Sequence, residues 1–282
     1  MPNTLAYEQQ AAVSGRNNAD FLALVNSQGA RGFRYLSDYT YSGDAGLVKS
    51  LFVNQAQGIY SYELLTSANS ADTIIAQHNA QGVRGFDYAG DYVQGTLYRK
   101  LAGSNAVYAV ARAPAVPAAG DPSTPTAFFL AQANAQGADG YRYQGAYFGG
   151  TELFNRYQKV QASSAQYVYD VQPTPATEAT WLALVNSQGS RGYKFKTGLS
   201  FGADGIKLVF EKDLNQSATF VFTALNSFST ANAALAQANS EGAKGNRFLG
   251  DYSVPQTGIK TLYFTATNCS GLLCEARGPF GF

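Results

Sequence analysis

The chain has 282 residues, 45% of them hydrophobic and 13% aromatic, which is enough apolar surface for a folded core and excludes disorder throughout. Only 14% of the residues are charged, and 20 basic residues nearly cancel 19 acidic ones, so neither nucleic acid nor an anionic membrane is an expected partner. No apolar run reaches the roughly 18 residues that a membrane span needs.

The N-terminal residues from Met1 to Thr4 lack the cationic start and apolar core of a signal peptide. The stretch from Asn3 to Gln10 reads instead as a strand outside any repeat. The polar residues are mainly Asn, Gln, Ser, Thr, Gly and Tyr, a mixture common in exported bacterial proteins. We therefore expect the mature form of a secreted, periplasmic or cell-surface protein.

A segment of the form Asn-x-x-Gly-x-x-Gly recurs five times at steps of 53, 55, 52 and 53 residues. A period this regular predicts a repeat protein of α+β class. We expect an N-terminal strand or cap over 1–17 and five tandem units within one domain. The units are 18–69, 70–122, 123–176, 177–229 and 230–282.

Each unit is predicted to begin with a helix of about three turns, because apolar residues recur at helical spacing before the repeated asparagine. Its start is indicated by Ser70, Ser123, Thr177 or Thr230, with Pro125 just inside the third helix. Its end is predicted at the first glycine, as a left-handed cap. These glycines are Gly29, Gly82, Gly137, Gly189 and Gly242.

The repeated asparagine is predicted to be structural, bonding exposed backbone of the next loop or unit through its amide. We expect Asn134→Ala to lower stability without affecting a ligand. The five positions are Asn26, Asn79, Asn134, Asn186 and Asn239.

Three strands are predicted after each helix. Aromatic residues alternate after the second glycine, as in Phe33 and Tyr35, and a glycine-containing turn and two further strands follow. The last repeat is expected to form its third strand near Leu272 to Arg277. Each unit thus reads α-β-β-β.

Such small units must pack against their neighbours, either as a closed ring of pseudo-five-fold symmetry or as an open curved array. We favour the ring, in which the N-terminal strand could pair with the last repeat. A ring of this kind resembles the αβ-propeller class in architecture, a class that includes enzymes modifying guanidino groups. Those enzymes use a Cys nucleophile with a His and acidic partners, whereas this chain has a single His and two nearby cysteines.

Two columns of basic residues recur beside the glycines. One hypothesis is that they line a face or channel and bind an anionic ligand. The alternative is local: the first column complements the helix C-termini, and the second faces solvent from the strands. The first column is Arg31, Arg84, Arg191 and Lys244, and the second is Arg34, Arg142, Lys194 and Arg247.

Candidates for catalysis and metal binding are few. His78 occupies a position that other repeats give to Val or Ala, so we interpret it as a packing residue. Asp38, Asp91 and Asp251 recur after the first strand, which is typical of a shared turn but leaves a hydrolase open. Cys269 and Cys274 are predicted to form a disulfide, with two buried thiols as the alternative.

The sequence therefore favours a non-catalytic extracellular binding protein, lectin-like or host-interacting, with no metal or cofactor. Its partner would be a carbohydrate or an anionic extracellular polymer. A hydrolase with carboxylates assembled between repeats, a structural or adhesive surface protein and a toxin remain alternatives.

Overall fold

The computed structural model describes residues 4–15, 17–55 and 58–276, so Asn3 and Arg277 of the predicted terminal strands lie outside the described residues. The described residues contain five α-helices and five three-stranded antiparallel sheets, which is consistent with the predicted repeated α+β architecture. The helices are α1 (Asn18–Ala30), α2 (Ala71–Val83), α3 (Pro125–Ala138), α4 (Glu178–Ser190) and α5 (Ala231–Ala243). None of the helices in these ranges has the length and apolarity needed to cross a membrane.

The strands are distributed evenly between the helices. In chain order they are β1 (Ala6–Ala11), β2 (Phe33–Tyr41), β3 (Leu47–Asn54), β4 (Tyr60–Leu65), β5 (Asp87–Tyr92), β6 (Gly95–Leu101), β7 (Tyr108–Pro114), β8 (Arg142–Gly149), β9 (Glu152–Val160), β10 (Tyr167–Pro173), β11 (Lys194–Ser200), β12 (Ile206–Asp213), β13 (Thr219–Asn226), β14 (Arg247–Val254) and β15 (Gly258–Thr267). We number the sheets 1 to 5 in chain order; their strand orders are β1-β3-β2, β4-β6-β5, β7-β9-β8, β10-β12-β11 and β13-β15-β14.

The third predicted strand of each of the first four repeats joins the sheet of the following repeat. For example, β4 follows β3 in the chain but pairs with β6, and β1 supplies the equivalent edge strand of sheet 1 by pairing with β3. We expected the N-terminal strand to pair with the last repeat, but β1 forms its strand ladder with β3 of the first repeat. Its contact with the last repeat is made through α5 instead.

The helix starts follow the expected capping chemistry with one shift. Ser70 and Thr177 cap α2 and α4, and each forms a capping box with the threonine three residues later. The cap of α3 is Thr124 and not Ser123, which places Pro125 at the first helical position, where a missing N–H costs nothing. Thr230 makes no side-chain cap, and Asp44 accepts the hydrogen bond from Ala231 N instead.

The helices end one residue after the first glycine, and the left-handed cap predicted at that glycine lies three residues later. Each helix continues through the first glycine, and the second glycine takes the left-handed conformation, as Gly32 does with φ of 83°. A glycine is needed at the first position for another reason. A Cβ atom on Gly29 would lie 2.4 Å from the carbonyl oxygen of Tyr60, so this residue lets the helix lie directly against β4.

Each helix packs in this way on the first strand of the next sheet: α1 on β4, α2 on β7, α3 on β10 and α4 on β13. Helix α5 packs on β1. The core between α1 and sheets 1 and 2 is formed by residues such as Phe21, Val25, Tyr35 and Tyr62. The predicted aromatic alternation therefore fills the spaces between neighbouring sheets.

The segment after β15 differs from the predicted third strand. Gly271–Cys274 forms a short 3₁₀ helix, and the predicted disulfide between Cys269 and Cys274 is confirmed. The disulfide joins two residues that are close in the chain, so the segment between them is bent and cannot form the extended strand that was predicted. A disulfide is compatible with an extracellular location.

Candidate functional site

The repeated asparagines join each helix to the next sheet. Asn26 Oδ1 accepts from Tyr62 N at 2.8 Å, and its Nδ2 donates to Tyr62 O at 3.1 Å. Asn79 and Asn186 bind Val110 and Phe222 in the same way, and Asn134 Oδ1 accepts from the backbone N–H of Tyr169. Asn239 makes this pair of bonds with Tyr7 of β1, 232 residues earlier in the chain.

The first basic column lies at the surface beside the helix ends. Arg31 forms an ion pair with Glu8 of the adjacent edge strand, and Arg84 forms the equivalent pair with Glu63. Arg191 donates to Gln188, and Lys244 pairs with Glu241 on its own helix. Each cation of this column therefore has a partner in the chain, but the partners are glutamate and glutamine side chains and not the helix carbonyl groups of the local interpretation.

The second basic column is largely buried, so the expectation that these strand cations face solvent is wrong for Arg34, Arg142 and Lys194. Arg142 of sheet 3 forms an ion pair with Glu211 of sheet 4, and neither side chain is more than 5% exposed. Arg247 is half-buried over the ring of Phe264. The sequence could not predict this burial, because it depends on what the neighbouring repeats place over the strand.

The segment after the disulfide contacts two of these cations. Lys194 Nζ donates to Leu273 O at 2.8 Å and to Glu275 O at 3.2 Å, and Arg34 donates to Ala276 O. Burial, and then the charge of Arg142, lower the pKa of Lys194 well below its usual range. The two columns therefore lie in different surroundings.

His78 lies in the core between sheets 2 and 3 and is 3% exposed. Its Nε2 lies 3.0 Å from Arg156 Nη1 and its Nδ1 lies 2.8 Å from Tyr98 Oη. Because arginine only donates, Nε2 is the acceptor and the neutral ring carries its proton on Nδ1. Burial, and then Arg156, lower the pKa of His78 to about 2, so the ring stays neutral at physiological pH.

The three recurring aspartates accept hydrogen bonds from hydroxyl groups of their own sheets. Asp38 accepts from Ser50, Asp91 from Thr96 and Asp251 from Thr261. The expected shared turn is therefore wrong: each aspartate lies within a strand and bonds to the residue directly opposite it on the neighbouring strand. Across the described ranges, the acidic, histidine and cysteine side chains form no group that could hold a metal ion.

A pocket lies where α5 and sheet 5 meet sheet 1, and we call it the junction pocket. Its enclosed part has a volume of about 30 Å³, and the empty space reaches about 380 Å³ once its open mouth is counted. Its floor includes Leu51, Phe248 and Ala234. Its polar lining consists of Gln9, Tyr39, Tyr41, Gln237, Asp251 and Thr261.

The pocket exists because α5 carries a small residue at a position that the other helices fill. Ala234 lies five residues before the repeated asparagine, where the other four helices have a larger side chain. Trp181 and the two phenylalanines at this position are at most 3% exposed. The larger side chains are Phe21, Ile74, Phe129 and Trp181. The small side chain of Ala234 is visible in the sequence once the repeats are aligned on the asparagine. The polar residues that surround the resulting pocket are not.

The hydroxyl group of Tyr39 in the junction pocket differs from those of the equivalent tyrosines in its hydrogen bonding. The equivalent tyrosines Tyr92, Tyr147 and Tyr252 all donate hydrogen bonds within the protein. Tyr39 Oη is buried without a hydrogen-bond partner among the described residues. Burial also raises the pKa of Tyr41 to about 12 and raises the pKa of Asp251, so the pocket walls are partly shielded from water.

Comparison of the chain with protein-family models, curated proteins and solved structures finds no match. The arguments for function therefore come from the geometry of the chain itself.

Proposed function

We propose that the protein is an exported, non-catalytic binding protein that takes one ring of a neutral saccharide in the junction pocket. The observation that carries this proposal is Ala234, which leaves open the space that an aromatic ring fills in α1, α3 and α4. A pyranose ring has a similar size and one apolar face. The enclosed part, about 30 Å³, has room for one hydroxyl or hydroxymethyl group of the sugar, so the ring itself would lie in the open mouth, within the space of about 380 Å³.

The lining of the pocket favours a ligand with both an apolar face and several hydroxyl groups. Leu51 and Phe248 offer apolar surface, while Gln9, Tyr39 and Asp251 offer hydrogen-bonding groups around it. A hydroxyl group of the ligand would satisfy Tyr39 Oη, whose burial without a partner costs about 1–3 kcal/mol. The cationic columns support an anionic polymer less well, because seven of their eight members already bond to acceptors within the chain.

A glycan array followed by calorimetric titration of any sugar that binds would test the proposal. Ala234→Phe should abolish binding while the fold persists, because α1 and α3 carry phenylalanine at this position. Ala236→Phe is the matched control, since it adds the same ring on the exposed face of α5. Binding that survives Ala234→Phe, or a protein that binds no neutral sugar, would refute the proposal.

We also infer that the five units close into a ring. The contacts between α5 and sheet 1 support closure, because they repeat the contacts between every other helix and the next sheet. Asn239 bonds to Tyr7 as Asn26 bonds to Tyr62, and Asp44 caps α5 as Asp204 accepts from Thr126 N on α3. An open array would instead leave the outer faces of α5 and β1 unpaired.

Replacement of Asn239 tests closure. In a ring, Asn239→Ala should lower the free energy of unfolding by about 1–3 kcal/mol, as much as Asn186→Ala inside the chain, because both leave strand backbone groups unpaired. Urea denaturation of the two variants gives the comparison. A change below about 0.5 kcal/mol for Asn239→Ala alone would indicate an open array.

A further inference from the structure

The segment Cys269–Ala276, which we call the tail, covers a cluster of buried charges from four different sheets. Arg34 belongs to sheet 1, Arg99 to sheet 2, Arg142 to sheet 3 and Lys194 to sheet 4. The Glu275 carboxylate lies 3.8 Å from both Arg34 and Arg99, and Lys194 donates to two backbone carbonyl groups of the tail. The tail thus supplies acceptors to three of these four cations.

The charges beneath the tail are unbalanced. The cluster contains five cationic side chains and three carboxylates, and one of the carboxylates belongs to the tail. Without the tail, five cations would remain against two carboxylates. The cations are Arg34, Arg99, Arg142, Lys194 and Lys196, and the carboxylates are Asp87, Glu211 and Glu275.

The tail does not fill the space above the cluster. A cavity of about 20 Å³ remains between sheets 2 and 3 and the tail, lined by Arg99, Arg142 and Gln158 on one side and by Glu275 and Ala276 on the other. A volume of this size holds a water molecule. Arg99 and Arg142 therefore border a small, partly open cavity, whose lining also includes the Asp87 carboxylate that pairs with Arg99.

The tail is attached by its bonds to the buried cations, by core packing and by one side-chain contact from outside the cluster. The disulfide between Cys269 and Cys274 closes its first turn, and Leu273 and Ala276 are buried at 2% and 0% exposure. Gln216 binds the backbone of Ser270 through both its amide oxygen and its amide nitrogen. No strand of the described residues pairs with the tail, so its release would break no sheet ladder.

We propose that the charge cluster is an oxyanion-binding site that the tail covers, and that the disulfide between Cys269 and Cys274 keeps it covered. The ligand class is a phosphate, sulfate or carboxylate group, for which arginine donors are well suited. The tail acts as an internal competitor, because its carbonyl groups and Glu275 occupy the same donors. This site is separate from the junction pocket and does not depend on saccharide binding there.

Calorimetric titration with inorganic phosphate tests the proposal on the full chain. The Cys269→Ser/Cys274→Ser double variant should bind phosphate at least tenfold more tightly than the oxidised protein, because the tail uncovers the site more often. Adding Arg99→Gln to the double variant should remove the gain. Equal affinities, or a gain that persists with Arg99→Gln, would overturn the proposal.

A second measurement applies if the double variant does not fold. Glu275→Gln in the oxidised protein removes the competing carboxylate and leaves the disulfide intact, so phosphate should bind severalfold more tightly and backbone amide exchange of residues 270–276 should rise when phosphate is added. Unchanged affinity and unchanged exchange would refute competition between phosphate and the tail. Saccharide binding at the junction pocket should be the same in all these variants, which separates this test from the previous one.

Discussion

His78 is a residue whose buried environment determines its charge. It hydrogen-bonds to Tyr98 and to the cationic Arg156 inside the core, at a helix position where other repeats have Val or Ala. Protonation would place two positive charges 3.0 Å apart with little water nearby. The ring therefore serves as a neutral acceptor for an arginine, which is a packing role rather than that of a catalytic base.

The acid stability of the protein should depend on His78. Its pKa is about 2 in the folded state and about 6.5 when unfolded, so the unfolded state binds one more proton between these values. Stability should fall by up to about 1.4 kcal/mol per pH unit below pH 6.5 from this residue alone. Denaturation at several pH values should give a shallower slope for His78→Gln, which retains an acceptor for Arg156. Parallel slopes for the two proteins would contradict a buried neutral histidine.

The asparagine at the helix–sheet contact gives a second prediction at this scale. Asn186→Ala should lower the free energy of unfolding by about 1–3 kcal/mol, because Phe222 N and O lose their partners in a partly buried place. The same loss is expected for Asn134→Ala, without any effect on saccharide binding. Ser187→Ala is the control, since that side chain is exposed on the next residue of α4. Equal stability of the Asn186 and Ser187 variants would refute the structural role.

Helix α3 lies so close to strand β10 that there is no room for a side chain at Gly137, where the two elements touch. A Cβ atom on Gly137 would be 2.0 Å from Tyr167 O, which is backbone and cannot move alone. The glycine is therefore required by the helix–strand distance and not by its own backbone conformation. The same short approach recurs at Gly82 and Gly189.

Gly137→Ala should accordingly cost more stability than an alanine placed at a left-handed glycine in open space. Gly103 is such a site, with φ of 75° and no described atom within 4 Å of the place that a Cβ atom would take. We expect about 1 kcal/mol for Gly103→Ala from backbone strain and about 3 kcal/mol or more for Gly137→Ala from displacement of α3. Thermal or urea unfolding of both variants measures the difference. A smaller effect at Gly137 would contradict the close approach.

Considered as a whole, the molecule fills the spaces between its sheets with tyrosine. Burial raises the pKa of many of these phenols and so keeps them in the neutral form. They include Tyr7, Tyr35, Tyr39, Tyr62, Tyr88, Tyr92, Tyr143 and Tyr169.

This distribution predicts cooperative unfolding in alkali. The unfolded state loses phenolic protons near pH 10, while the folded state keeps them, so stability is retained below pH 10 and falls as the pH rises further. Burial lowers the pKa of Lys196 to about 8, so this residue adds stability only as the pH rises from about 8 to 10.4 and does not offset the loss. Tyrosinate absorbance and circular dichroism should change together. Ionisation of most tyrosines near pH 10 before unfolding would contradict their burial.

The sequence by itself determined the repeat period, the helices, the aromatic strands and the disulfide, because each depends on local spacing or on residues close together in the chain. The tertiary structure decided which sheet each third strand joins, why the first glycine is small, and which cations are buried, because these depend on backbone and side chains from neighbouring repeats. Ala234 illustrates both. Its small size is visible in the sequence, but the pocket exists only because Tyr39 and Gln9, far away in the chain, lie opposite it.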